Sequence, residues 1–270
     1  MYRNGDKQDM NYLENYYSNY DEEGRLASNH GQVEFLTTMK YIHEIMGDTG
    51  KKKILEVGAG TGRYSIALAK EGHEVDALEY TKHNLEIMNS KIENMDNIIT
   101  HHGDALDLSR FADETFDITL VLGPMYHMYT KEDKMQVLRE AIRVTKKKGH
   151  ILVAYCMNEC MVIQFAFKQG NIWERMNDNM FTEDFRCISE AKDFFEMVRL
   201  EEIDELNTSF SEIKRIKIIA ADGATNYMRE CIDSMDEKTF GLWLKYHFAI
   251  CERMDLIGAT NHSLDILQKE

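Results

Sequence analysis

Three glycines at alternate positions, Gly58, Gly60 and Gly62, separate the apolar run "KILEV" from the amphipathic run "RYSIALAKEG". Glycine inside regular structure costs about 0.5–1 kcal/mol relative to alanine, so its repetition marks a turn that something must approach closely. Carboxylates flank that turn in sequence. Glu56 lies just before it, Glu79 follows Gly60 by 19 residues, and Asp104 stands in "GDA". A carboxylate accepts hydrogen bonds from paired hydroxyls or from an amine, which is chemistry suited to a sugar and a base. Farther on, Pro124, the only proline, opens "PMYH" after Gly123. His127 is able to exchange a proton near neutral pH with a hydroxyl, thiol or ammonium, and Tyr126 to orient or stack on an aromatic group.

These residues need a scaffold that brings them together. Between Lys53 and Tyr155 the hydrophobic period alternates between strand and helix, the pattern of βαβ units around a parallel sheet. The strands expected are "KILEV", "EVDALEY", "NIITHHGDA", "FDITLVLG" and "HILVAYC", with helices over 63–72, 82–95 and 131–147 between them. Right-handed crossovers wind such a chain on both faces of its sheet. In an open α/β sheet the ligand lies at the carboxyl ends of the strands, where the glycine turn, Glu79 and Asp104 all fall. After Tyr155 the alternation weakens. Residues 157–192 read as a helical insertion without a strand, "LEEIDEL" as a helix, "IKRIKIIAADG" as a sixth strand, 224–256 as a helical excursion and "NHSLDILQK" as a last strand. Leu242, Tyr246 and Ala249 share one helical stripe, which reads as core, with Trp243 and His247 as candidates for a pocket edge. The organisation expected is a single domain over 1–270. Within it, 1–50 is an N-terminal lid segment, 51–156 a ligand-binding core, and 157–192 and 224–256 are insertions.

Composition narrows the partners. A net charge of −15 and a pI near 5.1 argue against a general nucleic-acid binder. The one basic run, Lys146 to Lys148, reads as the cationic end of a helix. Five cysteines without a CxxC pair, and no second set of donors, give no metal site and suit reduced thiols in a cytoplasm. No stretch approaches the roughly 18 apolar residues of a membrane span.

The glycine spacing departs from the dinucleotide fingerprint G-x-G-x-x-G, because Arg63 stands where its third glycine belongs. With "EVGAGTG", Glu79, "GDA" and "LGPMYH" in this strand-helix order, residues 53–155 instead resemble the cofactor domain of class I S-adenosylmethionine-dependent methyltransferases. The resemblance implies a doubly wound, mostly parallel seven-stranded sheet with an antiparallel last strand. It implies S-adenosylmethionine as cofactor, with Gly58, Ala59, Gly60 and Gly62 against its methionine portion and Glu56 at the amino group. Glu79 would hold the ribose and Asp104 the adenine, and Tyr80, Ala105, Leu122 and Gly123 complete the cofactor-binding set. By the same resemblance the N-terminal segment folds over the cofactor, bringing Tyr16, Tyr20 and Arg25 to it.

Amine methyltransferases of this fold often carry Asn/Asp-Pro-Pro-Tyr after strand four; Gly-Pro-Met-Tyr here lacks that amine acceptor. Together with the acidic balance this favours a small-molecule acceptor. A protein or RNA acceptor, and a non-catalytic protein that binds the cofactor, are the alternatives. His127 and Tyr126 are the candidate catalytic residues, and the acceptor and the oligomeric state are not legible.

Overall fold

The computed structural model describes residues 6–19 (6–11 as backbone only), 28–47 and 50–270. Among the described residues, two helices, α1 (Asp6–Asn19) and α2 (Asn29–Met46), precede the sheet. Ser28 caps α2 by accepting from the Gly31 amide, and Val33, Thr37, Tyr41 and Ile42 recur along its buried face. The alternating core follows as β1 (Lys53–Val57), α3 (Arg63–Lys70), β2 (Glu74–Glu79), α4 (Lys82–Lys91), β3 (Ile98–His102), β4 (Phe116–Val121), α5 (Lys131–Val144) and β5 (Thr145–Met157). The second half contains α6 (Asn158–Met161), α7 (Ile172–Asn177), β6 (Met197–Val198), α8 (Leu200–Thr208) and β7 (Ile213–Ala220). It closes with α9 (Arg229–Asp233), α10 (Glu237–Ile250), α11 (Met254–Ile257) and β8 (His262–Lys269).

Strand order is β3-β2-β1-β4-β5-β8-β7, parallel through β5, with β8 antiparallel to both β5 and β7. This is the mostly parallel doubly wound sheet expected, with one addition. The short β6 pairs with the end of β5, which makes eight strands rather than seven. Two residues are too few to give a periodic signal, so the sequence concealed it. Central strands are buried on both faces. Ile54, Ile118, Leu120 and Leu152 pack with Tyr41 and Ile42 of α2 on one side, while Leu55, Val57, Val121 and Val153 pack with Leu138 and Ala141 of α5 on the other.

Three expectations need correction. Lys146 to Lys148 do not end a helix: α5 stops at Val144, Thr145 already belongs to β5, and Lys148 takes a positive φ of 61° where the strand is irregular. Lys146 pairs with Asp117 instead. The insertion is helical as far as Asn177, after which the chain to Glu196 is mostly irregular, with one 3-10 turn at Ala191–Asp193. The stripe of Leu242 and Tyr246 is not core. Both are more than half exposed, because α10 packs through Phe240, Trp243 and Leu244 against Val33 and Ile232.

Candidate functional site

At the carboxyl edge of the sheet lies a cavity of about 1470 Å³. Pockets for one drug-sized ligand run to about 1,000 Å³, so this one has room for two molecules side by side. Every described residue of the sequence-predicted set lines it except Gly62, while Tyr20 and Arg25 lie outside the described residues.

The first half is built on β1, β2 and β3. Gly58 has φ of 73°, and a Cβ there would fall 2.8 Å from the Pro124 ring, so the single proline packs the loop after β4 directly onto the glycine turn. Gly60 has φ of 56°, and a Cβ on it would meet no atom within 4 Å, which leaves its backbone bare toward the cavity. The turn is fixed from behind, since Gly58 N and Ala59 N both donate to Leu78 O at 2.8 and 3.0 Å.

Glu79, buried at the tip of β2, takes the Gly60 amide on Oε2 at 2.8 Å and the Thr81 amide and hydroxyl on Oε1 at 2.8 and 2.7 Å. Oε2 retains a lone pair for a hydroxyl donor from the cavity. Glu56 is also buried and accepts from both the amide and the hydroxyl of Ser65, at the start of α3. Desolvation pushes its carboxyl up to about 8, with the Ser65 bonds opposing that rise and the charge of Glu79 adding to it. Asp104 accepts from the Leu106 amide at 2.9 Å and faces the same space.

The rim is aromatic. His127 stands with Nδ1 2.7 Å from the Phe194 carbonyl and Nε2 3.1 Å from the Tyr17 hydroxyl. A carbonyl only accepts, so Nδ1 carries the hydrogen and Nε2 accepts from Tyr17. Desolvation lowers the His127 pKa to about 4, the bond to Phe194 opposing. The imidazole is therefore neutral at physiological pH. Phe194 sits at φ of 67°, and Tyr16 stacks on its ring with centroids 4.4 Å apart, so α1 is fastened over the cavity mouth by Tyr16 and Tyr17. The Glu196 amide donates to Tyr126 O at 2.6 Å, and Glu196 pairs in a buried contact with Lys134 of α5 at 2.8 Å. These bonds hold the 194–196 turn to the segment after β4.

The second half is walled by β5, the start of β8, the loop after β7, and α2. Here Glu34, Asp222 and His262 converge, with His262 Nδ1 2.9 Å from Asp222 Oδ2 and 3.4 Å from Glu34 Oε2. The His262 ring stacks at a tilt on Tyr126, centroids 5.6 Å apart. Sequence reasoning missed this trio and Tyr17. The three donors come from distant segments and no motif spacing links them, although Tyr17 adjoins a tyrosine that was singled out. Neither Trp243 nor His247 reaches the cavity: Trp243 donates to Thr225, and His247 is buried against Gly223.

Comparison with known proteins adds independent information. Residues 54–149 match the family model of a methyltransferase domain. The chain is 28% identical over 190 residues to glycine/sarcosine N-methyltransferase of Aphanothece halophytica, covering 67% of each chain. It is 32% identical over 162 residues to demethylmenaquinone methyltransferase of Bacillus licheniformis, covering 58% of this chain and 65% of that one. The chain thus spans about two thirds of the length of these relatives. Among solved structures, a SAM-dependent methyltransferase from Methanosarcina mazei superposes with a TM-score of 0.55 at 13% identity, covering 85% of this chain and 96% of that one. A putative sarcosine dimethylglycine methyltransferase from Galdieria sulphuraria gives 0.55 at 14% identity, over 88% and 86%. At such identities the likeness is one of fold.

Proposed function

We propose that this chain, a class I S-adenosylmethionine-dependent methyltransferase by its matched domain and its fold, passes the cofactor's methyl group to a small molecule held in the second half of the cavity. One observation carries the reading. Three carboxylates, Glu56, Glu79 and Asp104, on the ends of three adjacent strands, face one cavity that is also lined by a glycine turn, whose Gly60 has a positive φ and open space where a Cβ would stand.

These residues fit the cofactor chemically. Glu79 Oε2 accepts from a ribose hydroxyl, Asp104 from the adenine amine, and Glu56 pairs with the ammonium of the methionine portion once it ionises. The bound cofactor supplies a methyl group activated by a sulfonium. The protein's part is to align the acceptor and keep water out. Tyr16 and Tyr17 close the mouth, and the neutral His127 holds Tyr17 through Nε2. In this reading His127 is a positioning residue, and Tyr126 forms the wall between the two halves.

A cavity covered by α1 and the 191–196 turn suits a compact acceptor, in line with the glycine or sarcosine named for one relative. Five unpaired thiols support a reducing cytoplasm as its place of work, and no described helix is long and apolar enough to cross a membrane. The test is label transfer: protein incubated with methyl-tritiated S-adenosylmethionine and a deproteinised low-mass cell extract moves tritium into the low-mass fraction. Label that enters only protein or RNA, or stays on the cofactor with every extract, overturns the proposal.

A further inference from the structure

We propose that Glu34, Asp222 and His262 form a divalent-cation site in the acceptor half of the cavity. They arrive from α2, the loop after β7 and the first residue of β8, and each offers one donor atom, all within 4.8 Å of one another. Metal bonds of about 2.0–2.2 Å give ligand-to-ligand edges of about 2.8–3.6 Å in octahedral or tetrahedral sites. The two contacts of His262 Nδ1, 2.9 Å to Asp222 and 3.4 Å to Glu34, fall in that range. A small movement of the Glu34 side chain brings the two carboxylates to the same spacing.

The site is braced as metal sites are. Asp222 Oδ1 accepts from Thr260 Oγ1 at 2.7 Å and from the amides of Asn261 and His262 at 3.0 Å, while Asn226 Nδ2 lies 3.2 Å from Oδ2. That fan of donors fixes the carboxylate plane and leaves Oδ2 turned to His262, the kind of support that orients a ligand. One imidazole with two carboxylates suits manganese(II), iron(II) or zinc(II).

All three residues line the cavity, and His262 stacks on Tyr126, so the ion's remaining positions open where the acceptor binds. It would hold an acceptor through oxygen donors, a carboxylate or adjacent hydroxyls, and orient it. The acceptor's presence there rests on the methyltransferase reading; the ion site does not.

The test titrates manganese(II) into chelator-stripped full-length protein at neutral pH, followed by calorimetry and by the ion's electron paramagnetic resonance, with S-adenosylhomocysteine binding measured on the same preparation. The expected result is one ion per chain, weakened about tenfold or more in Glu34→Gln, with an unchanged melting temperature and retained S-adenosylhomocysteine binding. Wild-type protein that binds S-adenosylhomocysteine yet shows no saturable manganese(II) or zinc(II), or ion affinity unaltered by Glu34→Gln, overturns the site. Ion binding without S-adenosylhomocysteine binding would instead overturn the methyltransferase reading and leave the ion site standing.

Discussion

Glu56 makes the proposed cofactor affinity depend on pH. With its carboxyl pushed up to about 8 by burial, Glu56 is protonated in most molecules at neutral pH before cofactor arrives. Pairing with an ammonium favours the ionised form, so binding must expel the proton. The fraction ready to bind is about 1 in 100 at about pH 6 and about 1 in 4 at about pH 7.5, so affinity rises roughly 25-fold over that interval, about 2 kcal/mol. At about pH 7 roughly 0.9 proton leaves per cofactor bound, from the same pKa. Calorimetry with S-adenosylhomocysteine in two buffers of different ionisation enthalpy reads both quantities. Glu56→Gln keeps an oxygen for the Ser65 amide and removes the titrating group, so it should bind more weakly at the higher pH and without the slope. A wild-type affinity flat across this interval, or a Glu56→Gln variant that keeps the slope, refutes the reasoning.

Three further outcomes follow from the packing around the rim. Glu196→Ala strands the buried Lys134 ammonium and should lower stability by about 3–5 kcal/mol in denaturant titrations; joining Lys134→Met and Glu196→Leu should recover most of that loss. The His127 pKa is lowered from its ordinary value of about 6.5 to about 4, so the unfolded chain binds its proton first as pH falls. The stability that depends on the neutral ring is complete above about pH 6.5 and lost as pH drops toward 4, by up to about 3 kcal/mol, and His127→Gln should flatten this part of the acid-denaturation curve. Tyr17→Phe removes one hydrogen bond of about 0.5–1.5 kcal/mol from the closed rim and should speed S-adenosylhomocysteine release in stopped-flow by about 2- to 10-fold; an unchanged rate would show that α1 does not gate the cavity.

Much of the cofactor half was legible because its signals are local. The strands from β1 to β4 are short runs with apolar cores, β5 has the apolar run from Ile151 to Tyr155, and each proposed carboxylate ligand sits within a residue or two of a strand end. The glycine turn and Glu79 are joined by one hydrogen bond between Gly60 and Glu79, which the 19-residue spacing anticipates. The acceptor half was not legible. Glu34, Asp222 and His262 meet only because β8 runs antiparallel between β5 and β7, and because α2, packed on one face of the sheet, brings Glu34 beside the start of β8. The role given to His127 from its type alone also needed the fold, since burial and the Phe194 carbonyl decide its protonation. Likewise the apolar stripe on α10 is real in sequence, but a helix with apolar residues on two faces does not say which one is covered.

The most direct measurement of the central claim is calorimetric titration of S-adenosylhomocysteine into the wild type and into Glu79→Ala. Glu79 both faces the cavity and fixes the Gly60 amide, so the account predicts saturable binding of one molecule per chain by the wild type and a loss of about a hundredfold or more in the variant, two charge-assisted bonds at about 1.5–3 kcal/mol each. Equal affinity in the two proteins, or no binding by a folded wild type, would contradict it.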